Sequence, residues 1–162
     1  MISQKEIIIL GADHAGFEIK EYIKALLLRM DYRIEDVGTF GKKSVDYPDY
    51  VEKAALLIRE EENRKGILVC GTGIGASIAA NKISGIRAAL VSDEKTARLS
   101  REHNDANVLV LGGRSFNENK VEKILKVWLK SKFKGGRHKR RLDKISEIEK
   151  KNIILLSLQK RG

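Results

Sequence analysis

Short aliphatic runs alternate with longer segments of helical spacing through most of this chain, and that alternation limits the folds open to it more than any other feature. Glu6 to Gly11 reads as a first strand. A helix from about Phe17 to Met30 follows, with Ile19, Ile23, Leu26, Leu27 and Met30 on one face. Arg33 to Gly38 has the mixed pattern of an edge strand, and Thr39 to Tyr47 is a polar loop. Pro48 suits the first turn of a helix reaching about Asn63. Ile67 to Cys70 is a third strand, with a helix starting near Ser77 and running to Lys82; Ile86 to Val91 is a fourth strand. Asp93 to Asp105 is helical, capped by Ser92 or Asp93. Val108 to Leu111 is the fifth strand, and Asn117 to Lys132 an amphipathic helix. Strands joined by helices predict a parallel sheet covered on both faces. Right-handed crossovers then bring the strand C-termini to one edge, where sites form in open α/β sheets. Asp13 and His14, Tyr47, Cys70 to Gly75, Asp93 and Arg114 all fall after strands, on that edge.

The third strand ends in the only cysteine of the chain and runs into Gly71-Thr72-Gly73-Ile74-Gly75-Ala76-Ser77. Glycines at alternate positions let the backbone turn sharply and bare its N–H groups. A helix starting there adds partial positive charge, which favours an anion above it and activates a neighbouring thiol. An activatable thiol beside an anion cradle points to an enzyme. The run also satisfies G-x-G-x-x-[GA], with Asp93 downstream as the acidic partner, so dinucleotide binding is an alternative; only two strands follow it, and a cofactor site has no need of a cysteine at its mouth.

At 162 residues the chain reads as one domain, a core over 1–134 followed by a basic hinge and helix over 135–162. No apolar run is long enough to cross a bilayer, and a lone cysteine suits a reducing cytoplasm. No Cys/His cluster has metal-ligand spacing, so no structural zinc is expected. The net charge of +10 is local: residues 130–162 carry 12 basic and 3 acidic side chains. A nucleic-acid binder using Lys130 to Lys144 is the competing reading, but Phe133 is the only aromatic residue there to stack a base. Arg137 and Arg141, four apart on one helix face, are spaced to grip a phosphate. The Gly135-Gly136 pair before them is a hinge. Leu142, Ile145 and Ile148 continue at helical spacing, and Ile153 to Leu158 form a late apolar patch suited to a second surface, such as another subunit.

Seven blocks then occur in order: Gly11 to Phe17, Asp46 to Pro48, Cys70 to Ser77, Ala79 to Lys82, Gly85 to Ala88, Leu99 to Asn104, and Gly135 to His138. Together, over roughly residues 6–150, they resemble the ribose-5-phosphate isomerase B family. The resemblance implies a Rossmann-like three-layer α/β/α sandwich on a five-stranded parallel sheet, with a C-terminal helical extension. It implies homodimers or homotetramers with sites built across a subunit interface. The implied reaction interconverts ribose 5-phosphate and ribulose 5-phosphate, in the non-oxidative pentose phosphate pathway, through a cis-enediolate; related isomerases act on allose 6-phosphate or galactose 6-phosphate. By the same resemblance Cys70 is the base, His103 opens the furanose ring, and no metal or organic cofactor is needed. Asp13 handles hydroxyl protons, and Thr72 and Asn104 position the sugar. The amides of Gly71, Gly73, Ile74 and Gly75 form the oxyanion hole, Tyr47 lines the pocket, and Arg137, Arg141, His14 and Arg114 hold the phosphate. Some relatives place a carboxylate base just after the third glycine. Ala76 stands there in this sequence, which leaves the proton transfer to Cys70. The stretch beyond about Asn152 runs past where many relatives end.

Overall fold

In the computed structural model, which describes residues 6–115 and 117–159, the strands and helices alternate as the sequence predicts. They are β1 (Ile7–Ala12), α1 (Phe17–Arg29), β2 (Arg33–Asp36), α2 (Tyr47–Glu60), β3 (Arg64–Cys70), α3 (Ile74–Ala80), β4 (Ala88–Leu90), α4 (Glu94–Asn104), β5 (Val108–Gly112), α5 (Glu118–Lys130) and α6 (Arg137–Gln159). The strands form one parallel sheet in the order β2-β1-β3-β5-β4. Alternate side chains leave its two faces. Ile8, Leu10, Ile67, Val69, Leu109 and Leu111 pack under α1, α4 and α5, with Trp128 fully buried among them. Ile9, Leu68, Val108 and Val110 pack under α2 and α3. Burying each of these aliphatic side chains is worth about 1.5–3 kcal/mol. The three-layer sandwich is therefore dictated by three central strands, apolar on both faces, that need covers on both sides.

Element ends differ from the sequence expectation where side chains intervene. β2 stops at Asp36, two residues before Gly38, because its Oδ1 accepts the Gly38 N–H at 3.0 Å and its Oδ2 accepts from Lys20 and Lys24. β3 starts at Arg64, before its apolar run, because Arg64 and Lys65 already pair with Ile7 and Ile8. α2 ends at Glu60 instead of Asn63, which lets the Arg64 N–H bond Glu61 O and turn the chain into β3. α3 begins at Ile74, three residues before Ser77, since Gly73 takes φ +79° and its carbonyl accepts the first helical bond from Ser77. β4 is only Ala88–Leu90; the Asn81 side chain bonds both the N–H and the carbonyl of Ala88.

After α5, Gly135 and Gly136 both take positive φ (+62° and +56°), and the chain reverses into α6. α6 runs beside α4 and beneath β4; Leu142, Ile145 and Ile148 line a groove with Asn81, Ala88, Ala89 and Asn104. Glu149 accepts from the Gly85 N–H. The helix continues to Gln159 with Ile153, Ile154, Leu155, Leu156 and Leu158 all exposed, while Lys160 to Gly162 lie outside the described residues.

Candidate active site

The chain direction changes sides between β1 and β3, so the loops after these strands open a crevice at the C-terminal edge. Three loops close on it through backbone contact. A Cβ on Gly16 would lie 2.4 Å from the Val69 carbonyl oxygen, one on Gly113 would lie 2.7 Å from Ala15 O, and one on Gly112 would lie 2.7 Å from Thr72 O. The Asp13 N–H extends the β1 ladder to Val69 O at 3.2 Å, which seats Asp13 beside Cys70. Asp13 is buried, and its Oδ1 accepts the Gly16 N–H at 2.9 Å, pinning the carboxylate over the start of α1. The Cys70 carbonyl accepts from the Gly113 N–H at 2.7 Å, and the residue is 3% exposed, within the buried cluster that includes Val51 and Ala76.

Above Cys70 the glycine turn leads straight into α3. Thr72 Oγ1 accepts the Ile74 N–H at 3.3 Å, and the amides of Gly75 and Ala76 precede the first helical hydrogen bond, with no acceptor inside the helix. Tyr47 lies across this turn: a Cβ on Gly75 would come within 2.5 Å of the Tyr47 ring. The Arg114 guanidinium lies against Gly71, 3.3 Å from where its Cβ would be. His14 Nδ1 lies 3.2 Å from the Val45 amide nitrogen and 3.3 Å from the Val45 carbonyl oxygen, which ties the ring to the loop before α2. The fold thus gathers Asp13, His14, Tyr47, Cys70, Gly71, Thr72, Gly73, Ile74, Gly75 and Arg114 at one edge.

Asp93, also on this edge, is the N-cap of α4. The Thr96 N–H and hydroxyl hold its carboxyl below the usual carboxylate range, and Thr96 closes a capping box. That employment removes Asp93 as the acidic partner of a dinucleotide site.

His103, Asn104, Arg137 and Arg141 lie elsewhere. α4 runs back across the sheet, so His103 and Asn104 sit at its N-terminal edge, where Arg87 Nε bonds Asn104 O and the Gly66 N–H bonds Asn107 O. β3, seven residues long, separates the two edges by about 20 Å. Within one chain His103 does not reach Cys70. The end of α4 is held firmly: Arg101 lies over Trp128 and donates to Asp105 Oδ1 and Ala106 O. Arg137 and Arg141 are exposed at the start of α6 and, among the described residues, make no ion pair. Sequence reasoning gave no role to His138, yet it is the one buried residue of α6, and its ring stacks on His103 with centroids 4.1 Å apart and planes 10° apart. Burial first, then the charges of His103, Arg137, Arg141 and Lys134, hold the His138 imidazole below its ordinary titration range. The only signal for this in the sequence is a histidine placed just past a double-glycine turn.

Residues 8–145 match the sequence profile of the family described as Ribose/Galactose Isomerase. The chain is 43% identical over 144 residues to ribose-5-phosphate isomerase B of Escherichia coli (strain K12), covering 89% of this chain and 97% of that protein. Ribose-5-phosphate isomerase B of Clostridium thermocellum has a solved structure similar to this one, with a TM-score of 0.88 and 49% identity over 90% of this chain and 99% of that one. The structure of ribose-5-phosphate isomerase B from Mycoplasma genitalium with bound ribulose-5-phosphate gives a TM-score of 0.87 and 40% identity, over 91% and 99%. The profile match, the shared fold and this degree of identity lead to one assignment: the chain belongs to the ribose/galactose isomerase family.

Proposed function

We propose that this protein is an aldose–ketose isomerase that interconverts D-ribose 5-phosphate and D-ribulose 5-phosphate, a step of the pentose phosphate pathway. The observation that carries the reading is Cys70 at the end of β3, with Asp13 beside it and the amides of the Gly71–Gly75 turn above it. Cys70 takes the C2 proton of the open-chain aldose, the C1 carbonyl oxygen becomes the enediolate oxyanion, and the turn amides stabilise it. Asp13 relays the O2 proton to O1, and as Cys70 returns its proton to C1 a hydroxyl is left at C1 and the carbonyl at C2. Thr72 and Tyr47 hold the sugar, and His14 and Arg114 contact the phosphate. A lone cysteine kept as a thiol suits a reducing compartment such as the cytoplasm.

Ring opening and the main phosphate grip fall to groups of the other edge, so the reading includes a second copy of the chain. Its His103 protonates the ring oxygen as the C1–O bond breaks and the anomeric hydroxyl gives its proton to solvent to leave the C1 carbonyl, its Asn104 orients the sugar, and its Arg137 and Arg141 hold the phosphate. Exposed Ile74, Ile78 and Leu90, clustered where α3 meets β4, give such a copy an apolar surface beside the site. Turnover measured on ribose 5-phosphate, allose 6-phosphate and galactose 6-phosphate tests the assignment; the pentose phosphate is expected to be the best of the three. Cys70→Ala is expected to cost about 10³-fold in kcat on it. Near-wild-type turnover by that variant would overturn the proposal.

A further inference from the structure

The His103–His138 stack has no part in the chemistry above, although α6 buries no other residue. Both partners of the stack are held by their own elements. The Lys134 N–H donates to Glu102 O at 3.0 Å and the Lys134 ammonium pairs with the Glu102 carboxylate at 2.8 Å, tying the linker to the last turn of α4. The two positive-φ glycines then turn the chain, and the His138 N–H closes on Gly135 O. These contacts deliver the His138 ring flat onto His103.

We propose that His138 is a positioning residue for ring opening: stacked on His103 of its own chain, its imidazole fixes the plane of the ring that gives the sugar's ring oxygen a proton. This rests on the isomerase reading and on the role that reading gives His103. A histidine side chain at a helix end has a broad torsion about its last bond, and a second flat ring 4.1 Å away narrows it. Charge supports the same arrangement. Around His138 are His103 from α4, Lys134 from the linker, and Arg137 and Arg141 from its own helix, with Glu102 of α4 paired to Lys134. Glu102 is already paired with Lys134, and burial first, then the cationic neighbours, favour the neutral form of His138. A neutral His138 ring therefore lies flat against His103.

The test separates ring opening from enolisation. Ribulose 5-phosphate, with its carbonyl at C2 and its O5 phosphorylated, cannot close a five-membered ring, so exchange of its C1 hydrogen with deuterated solvent does not need ring opening. Conversion of ribose 5-phosphate does. The ratio of the two rates in one enzyme preparation is independent of how much of the variant is folded. His103→Ala should lower the ratio strongly. His138→Leu, which keeps apolar volume but no flat face, should lower it roughly tenfold with KM unchanged, and His138→Phe, which restores the face, should return it to within about twofold of wild type. A lowered ratio in His103→Ala with an unchanged ratio in His138→Leu, or equal ratios in His138→Leu and His138→Phe, would overturn the inference. An unchanged ratio in His103→Ala would overturn the ring-opening role itself and the inference with it.

Discussion

The two edges of this parallel sheet are built on different principles. At the C-terminal edge, backbone meets backbone: Gly16, Gly112 and Gly113 each allow contacts that a single Cβ would break, and the site residues sit on loops with little freedom left. At the N-terminal edge, long side chains do the holding: Arg101 and Arg87 on Asp105, Lys134 on Glu102, and His138 on His103. The first arrangement suits a cradle that must be in place before a charge develops in it. The second suits groups presented outward, as His103, Arg137 and Arg141 are. A substitution should therefore act differently at each edge, damaging geometry at one and binding or orientation at the other.

Gly75→Ala is the sharpest way to break this contrast, since its methyl group would displace the Tyr47 ring from 2.5 Å away. We expect kcat/KM for ribose 5-phosphate to fall about 10²-fold, with both constants affected. A loss confined to KM would show that the cradle is not preset. Arg141→Ala should instead raise KM about tenfold or more with little change in kcat, as removing one charge-assisted phosphate contact does. A fall in kcat with KM unchanged would put Arg141 in the chemistry and out of the phosphate grip.

The smallest effect comes from acid. Because His138 is held below its ordinary range, the unfolded chain binds more protons than the folded one between the native value and about 6.5. The stability tied to the α4–α6 contact is then full above about pH 6.5 and lost as pH falls through that window. Denaturant titrations at pH 7.5 and pH 5 should show the loss in the wild type and a smaller one in His138→Phe. An equal loss in both would place the acid sensitivity elsewhere.

Much of this was legible in the sequence because local rules and tertiary packing agree in the central strands. Ile7 to Leu10, Ile67 to Cys70 and Val108 to Leu111 are apolar on both faces, and only a covered parallel sheet accommodates three such runs. The boundaries were harder to read wherever a side chain takes over the work of the backbone, as Asp36 does at the end of β2 and Asn81 at the start of β4. Spacing marked Asp13, His14 and the Cys70 to Gly75 turn because they lie at strand ends, and Tyr47 because it closes the loop after β2. His103 was different: nothing in the linear sequence says that a helix end at the opposite edge belongs with Cys70, and only the resemblance joined them. The His103–His138 stack was invisible for a related reason, since the double-glycine turn sets where the ring lands and spacing does not encode a turn's direction.

Mixing two inactive chains tests most directly the claim that opposite edges complete one another. Cys70→Ala and His103→Ala subunits, each inactive alone, would be unfolded together, refolded and assayed on ribose 5-phosphate. If each site takes Cys70 from one chain and His103 from another, random two-fold pairing leaves one intact site in each mixed dimer, and turnover should recover to about one quarter of wild type. No recovery from a mixture shown to contain mixed dimers would mean that Cys70 and His103 do not serve one site across chains.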